Sequence, residues 1–429
     1  MRSVDRLDAR AADFAERFDA LVNARREADS DVASDVAAII ARVRAEGDAA
    51  VAELTQAFDG HALPWRIRLD EAKDAYVALD SALRDALELA AKRIRTYHIA
   101  QLPQGRDTRD AAGVRLGARW NAVDAAGVYV PGGRAAYPSS VLMNVIPAKV
   151  AGVGRIVMVT PTPDGVVNPA VLAAAFIAGV DEIWRIGGAQ AIAALAYGTQ
   201  TIHSVDSITG PGNAWVAEAK RQIFGRVGID MVAGPSEIVV VADGANNPEW
   251  IAADLLSQAE HDPTSQSILI TEDAAFADRV AAAVESLLAT LPTAEVARAS
   301  WDSYGAIITV ASFDEIALLI NRLAPEHLQI ALDEREAEAL FAAVRHAGSV
   351  FLGRMTPEAI GDYVAGPNHV LPTGRRARFA SGLSVLDYMK RTSFIAADAA
   401  ALSAIGPAAV TLAEAEGLPA HAQSVRLRL

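Results

Sequence analysis

The sequence predicts an α/β fold: two Rossmann-like domains with parallel sheets, a helical N-terminal segment before them and a helical C-terminal tail after them. Three observations carry this reading. Short β-branched runs alternate with Ala-rich helical stretches from Val128 onward. Apolar residues fall at helical spacing between Val32 and Ile99, and strand signals are absent from the residues after 376. The chain has 429 residues, 52% of them hydrophobic, and single cores seldom grow past about 250 residues, so at least two are expected.

The elements follow in order. Residues 36–43 place valine and isoleucine three and four apart, the pattern of an amphipathic helix. Beyond Val128, strands are expected at 155–160, 182–186, 237–241, 267–271, 306–310, 328–332 and 349–352. Strands separated by helices of about 10–15 residues make βαβ units, whose parallel sheets are covered on both faces. Gly234-Pro235-Ser236 marks the crossing between the two sheets. The expected segments are 1–30 (helical), 31–123 (the helical part of the first α/β domain), 124–233 (a nucleotide-binding domain), 234–376 (a second α/β domain) and 377–429 (a tail).

Composition narrows the function. Asp and Glu outnumber Lys and Arg by 53 to 39, a formal charge of −14, and no basic run tracks a phosphate backbone, so nucleic acid is not an expected partner. No apolar stretch reaches the roughly 18 residues of a membrane span. The opening Met1-Arg2-Ser3-Val4-Asp5 runs into charged residues rather than a signal core. A cytoplasmic protein without a membrane partner is expected. With no cysteine in the chain, disulfides, thiolate catalysis and Cys-based zinc sites are excluded, so a metal would need His, carboxylate or amide oxygen.

Two motifs suggest an enzyme. Gln258 and His261 stand three residues apart and share a face if helical, where they could grip one ion. Glu326-His327 follows Pro325, setting a carboxylate beside an imidazole where a loop can aim both into a cleft. Taken singly, Gln258 with His261 reads as a solvated helix face, Asp362 as a turn residue and His421 as a surface histidine. Their combination with Gly-rich loops at 129–133, 187–190, 209–213 and 233–236 raises them above that. Such loops lie near expected strand ends, where backbone N–H groups approach phosphates. None is a Gly-x-Gly-x-x-Gly or P-loop motif, and any one alone is explained by a Pro-Gly turn.

Residues 137–144 (Tyr-Pro-Ser-Ser-Val-Leu-Met-Asn), 188–199, 254–263, 323–327 (Leu-Ala-Pro-Glu-His) and 365–373 (Ala-Gly-Pro-Asn-His-Val-Leu-Pro-Thr) resemble the signature blocks of histidinol dehydrogenases, over roughly Tyr97 to the C-terminus. The resemblance implies oxidation of L-histidinol to L-histidine through an aldehyde, with NAD and one Zn2+ per subunit that holds the substrate rather than performing redox. It implies zinc ligands Gln258, His261, Asp362 and His421. Substrate contacts would come from these four with Ser236, His327 and Glu416, and NAD contacts from Tyr129, Gln190 and Asn213. His327 would take the hydroxyl proton and Glu326 would activate water. A homodimer is implied too, in which Glu416 and His421 enter the partner's site. The chain departs from the family pattern at Trp215, where a tyrosine is usual, and at Ala415, where methionine is frequent. The alternatives are a zinc- and NAD-dependent dehydrogenase of another primary alcohol, or a binding module in which Glu326-His327 lies away from the cleft. Retention of Glu416 disfavours an anionic substrate group there.

Overall fold

A computed structural model describes residues 4–24, 32–62, 64–132, 137–232 and 234–429. Met1, Arg2, Ser3, Gly133 and Ala233, which the sequence reading used, lie outside the described residues, as do positions 25–30 of the leading segment. In chain order the strands are β1 Asp5–Asp8, β2 Arg66–Ile67, β3 Arg106–Arg109, β4 Arg115–Ala122, β5 Ala125–Tyr129, β6 Arg155–Val159, β7 Glu182–Trp184 and β8 Ser207–Thr209. They continue as β9 Gly228–Ile229, β10 Glu237–Ala242, β11 Gln266–Thr271, β12 Ala306–Thr309, β13 His327–Ala331, β14 Ser349–Leu352 and β15 Met389–Ala396. All seven expected strands are present.

The first sheet runs β2-β7-β6-β5-β8-β9, parallel except for the β2–β7 pair. Alternate residues feed two cores: Ala126, Val128, Ile156 and Met158 face one layer of helices, while Ala125, Tyr129, Val157 and Val159 face the other. That is the period of two expected of a strand buried on both faces. The chain winds outward from β5 to β7, then returns to lay β8 on the other side of β5. The loops after β5 and β8 therefore diverge, which opens a crevice at the carboxyl ends.

The second sheet, β1-β12-β11-β10-β13-β14, is parallel throughout. Its central strands alternate in the same way, with Val239, Ile268 and Ile308 in one core and Ile238, Leu269 and Ile307 in the other. Segment 364–373 docks this unit on the first. The Asn368 amide donates to the Met143 carbonyl at 2.6 Å, and Arg93 donates to the Val364 and Ala365 carbonyls.

Three segments expected to be helical carry strands as well. β1 forms the edge of the second sheet from a run whose only buried side chain is Leu7, too short to show a period. Within the segment 31–123, expected to be helical, β2 adds two residues to β7, and β3 and β4 pair antiparallel with each other. The tail contains β15, which pairs antiparallel with β4 along its whole length and completes a sheet ordered β15-β4-β3. Its sequence shows no alternation of apolar and polar residues, and most of it is exposed; ladder hydrogen bonds hold it, which a pattern search cannot see. At its root the buried Tyr388 hydroxyl donates to the Asn144 carbonyl at 2.9 Å and lies 2.8 Å from the Thr209 hydroxyl. Among the described residues no helix is long and apolar enough to cross a membrane.

Candidate active site

The helix Pro248–Ala259 starts with Asn247, whose side chain accepts from the Glu249 amide, and with Pro248 at its first position. It ends before His261, whose amide meets the Gln258 carbonyl at 3.3 Å. Gln258 thus lies buried on the last turn while His261 stands exposed just beyond it. The three-residue spacing brings the two together through a turn rather than along one helix face.

His327 opens β13 and pairs with Ile238 on one side and Ser349 on the other, so the catalytic candidates sit at the amino end of a central strand. Ser236 immediately precedes β10 at the same edge, its carbonyl accepting from Gln266 at 3.0 Å. His327 Nδ1 lies 3.0 Å from Gln258 Oε1 and 3.3 Å from the Glu237 carbonyl. Both are acceptors, so Nδ1 carries the ring proton and Nε2 presents a lone pair. Burial holds this imidazole at a pKa of about 4, so it stays neutral. Its Nε2 is 3.6 Å from Glu358 Oε1.

Glu326 Oε2 accepts from the Glu237 amide at 3.0 Å. Burial, with the nearby Glu237 charge, lifts the Glu326 carboxyl well above the usual range. Glu358 is pushed up to about 8 by burial and then by Asp362. Asp362, on the short helix Ala359–Tyr363, has Oδ2 3.9 Å from His261 Nε2, and its carbonyl lies 2.9 Å from His369 Nδ1. His327, Glu358 and Asp362 each bring one potential ligand atom within 4.8 Å of the others. Gln258 Nε2, His327 Nε2 and Glu358 Oε1 are all buried without a hydrogen-bond partner. Buried polar atoms are rarely left so; three in one place make this a candidate ligand site.

Glu358 escaped the sequence reading because an acid after a proline at a helix start is ordinary. It is held from behind: its amide donates to Gln329 Oε1 at 3.1 Å, and Gln329 Nε2 donates to Asp254 Oδ2 at 2.6 Å. Glu416 and His421 are not brought to this cluster. Both are exposed on the tail, and among the described residues no hydrogen bond or ion pair joins them to it.

The three expected NAD contacts gather at the carboxyl edge of the first sheet. Tyr129 ends β5, and its buried hydroxyl, pushed up to about 12 by burial, accepts from the Gly188 amide at 3.1 Å. Gln190 lies in the first turn of the helix Gly188–Tyr197, its Oε1 buried and unpartnered. Asn213 caps the helix Ala214–Ile223, accepting from the Val216 amide at 3.2 Å. Trp215 packs, half-buried, against the adjoining core.

The family model described as histidinol dehydrogenase matches residues 22–429. A histidinol dehydrogenase from Zymomonas mobilis is 65% identical over 99% of this chain and 99% of its own length, and one from Rhodospirillum rubrum is 61% identical over 99% and 98%. The crystal structure of histidinol dehydrogenase from Elizabethkingia anophelis superposes with a TM-score of 0.94 at 35% identity, covering 100% of this chain and 98% of that one. An acetylating aldehyde dehydrogenase from Geobacillus thermoglucosidasius shares the fold alone, at 14% identity and a TM-score of 0.50 over 89% and 94% of the two chains.

The Asp254 support has a measurable pH signature. Burial raises its pKa from 3.8 to about 6, so the folded state binds this proton more tightly than the unfolded chain. The ionised carboxylate is a penalty that is full above pH 6 and vanishes as pH falls toward 4. Asp254→Asn keeps an acceptor for Gln329 and should be more stable than the parent by about 1–3 kcal/mol at pH 8, with no advantage near pH 4. Denaturant unfolding at the two pH values checks this, and equal stability at pH 8 would contradict it.

Proposed function

Because the chain belongs to the histidinol dehydrogenase family, we propose that it oxidises L-histidinol to L-histidine by way of L-histidinal, with NAD accepting a hydride at each step. The observation that supports this most strongly is the neutral, buried His327. Its Nδ1 proton is committed to Gln258 and its free Nε2 faces a carboxylate cluster, a base aimed into a site. In the first step Nε2 takes the hydroxyl proton of histidinol as the carbon-bound hydride leaves for nicotinamide, giving the aldehyde. In the second, Glu326 takes a proton from water as its oxygen adds to the aldehyde carbon, and the hydrate loses a second hydride to give the acid. A carboxyl raised by burial is a stronger base than a surface glutamate once it has given up its proton, which suits that task.

Imidazoles, carboxylates and an amide oxygen, with no thiolate, are a donor set that zinc accepts, and the neighbouring His327, Glu358 and Asp362 bring further possible ligand atoms within 4.8 Å of one another. In this reading Gln258, His261 and Asp362 hold Zn2+ with His421 of a second copy. The Gln258 oxygen retains a lone pair beyond the one that accepts from His327. Bound zinc would fix the imidazole and amine of histidinol as a template. Ser236 and Glu416 would complete the substrate contacts, the carboxylate of Glu416 suiting an amine-bearing ligand. Tyr129, Gln190 and Asn213 would receive NAD, with 124–233 the nucleotide domain and 234–376 the domain carrying zinc and catalysis.

A homodimer with shared sites is supported by the tail. Glu416 and His421 are exposed there, as are Ile395, Leu412 and Leu427, a set of apolar side chains suited to burial against a second copy. Oxidation of another primary alcohol on this scaffold is the second reading, and assay with L-histidinol beside a panel of amino alcohols separates the two.

The two catalytic neighbours should divide by step. Glu326→Gln is expected to slow aldehyde oxidation by roughly 10²–10⁴-fold with a much smaller effect on the alcohol step, whereas His327→Ala should slow alcohol oxidation as well. Single-turnover assays started from histidinol and from histidinal read the steps separately; small, equal losses in both would refute the assignment.

Chelation should abolish histidinol oxidation while the far-UV circular dichroism of the two sheets persists, and added zinc should restore it. Undiminished turnover by demonstrably metal-free protein would rule out the template role.

Shared sites predict complementation. In a mixed dimer of His261→Ala and His421→Ala chains, one site combines both defects and the other is intact. Refolding an equal mixture of the two inactive variants should recover about a quarter of the parental activity, from random pairing. No recovery despite proven chain exchange would place each site within one chain.

A further inference from the structure

The side chains of Lys220 and Asp230 are almost completely buried, at 2% and 1% exposure, and paired with each other. Neither belongs to the chemistry described above. Replacing a buried ion pair by apolar residues is often neutral or stabilising, so stability alone does not account for one. What this pair does is unusual in its target. Asp230 Oδ2 accepts from the Gly210 amide at 2.8 Å, and Lys220 Nζ donates to the Gly210 carbonyl at 3.0 Å. Both backbone groups of one residue are therefore held by the two halves of one ion pair.

Gly210 sits in the loop directly after β8, at the crevice where β5 and β8 send their loops apart. Its φ is +110°, and a Cβ there would lie 2.0 Å from the Tyr129 carbonyl oxygen. The residue can thus be neither replaced nor turned without disturbing the end of β5. Three residues later Asn213 caps its helix. The Oδ1 of Asp230 also accepts from the Met231 amide at 2.6 Å, so the clamp is itself fixed to the chain beyond β9.

We infer that Lys220 and Asp230 are positioning residues for the dinucleotide, clamping the Gly210 peptide so that the 210–213 loop is preformed. This rests on the reading of Asn213 as an NAD contact. A loop ordered before binding loses less freedom on binding, so the clamp contributes to NAD affinity without touching NAD.

The test uses the zinc-loaded dimer and equilibrium calorimetry with NAD. Lys220→Met/Asp230→Asn removes the charges at similar volume and should weaken NAD binding on the order of tenfold, with histidinol affinity unchanged and faster hydrogen exchange at the Gly210 amide. A lowered melting temperature with NAD affinity unchanged would mean the pair is only structural and would overturn the inference. Should the double variant fail to fold, Lys220→Arg keeps the charge but displaces the donor. It should weaken NAD binding severalfold, and parental affinity in that variant would be equally decisive against the clamp. Asn213→Ala separates the inference from the reading beneath it. If it alone weakens NAD, the clamp falls and the contact stands. If the clamp variants alone weaken NAD, the contact is misassigned and the clamp stands. If none does, both fall.

Discussion

The constraint on which the site depends is the enclosure of His327. An imidazole at the amino end of a central strand, shut away from water, cannot carry charge cheaply, so burial lowers its pKa to about 4 and it stays neutral near pH 7. The fold then decides which nitrogen is basic. Gln258 and the Glu237 carbonyl both demand a proton from Nδ1, and the lone pair is left facing Glu358. Removing water therefore does two things at once: it fixes the tautomer, and it raises the carboxyls beside it, so that base and acids coexist within a few ångströms without simply forming ion pairs.

The two sheets carry their candidate site residues at opposite ends. In the first, the polar loops and helix N-termini lie at the carboxyl edge, as open parallel sheets usually arrange them. In the second, Ser236, Glu326 and His327 stand at the amino edge, and Gln258 reaches them because a helix running back antiparallel to its strands ends where they begin. Segment 364–373 ties the second unit to the helix Pro138–Ala151 of the first.

The strands with runs of β-branched residues were legible, the edge strand Ser349–Leu352 among them, and every one anticipated is present. The interior strands Ala125–Tyr129, with Val128 its one β-branched residue, and Ser207–Thr209, three residues long, were not, and neither were the strands that rest on a neighbour. Asp5–Asp8, Arg66–Ile67 and Met389–Ala396 owe their conformation to a neighbour's backbone, and their side chains carry little record of it. In the site, Gln258, His261, Glu326 and His327 were visible as motifs and Asp362 through the family resemblance, and the five do gather. Glu358 was not, because what distinguishes it is depth, and depth comes from packing against Gln329 and Asp254, far away in sequence. Lys220 and Asp230 were invisible for the same reason. Glu416 and His421 stand exposed on the tail, apart from those five site residues.

β1 gives the chain an order in time. Asp5 pairs with Ala306, and Leu7 lies in the core of a sheet whose other strands begin at Glu237. A ribosome releases the edge of the second sheet first and its neighbour only after the whole first sheet has emerged. The first unit can close on segments already made, while the opening residues must wait, unpaired, through most of synthesis. Long-range parallel pairing of this kind is slow to form and exposes apolar surface meanwhile. The short, charged Asp5–Asp8 run, with a single buried leucine, is a strand that can stay in water during that interval without seeking a wrong partner.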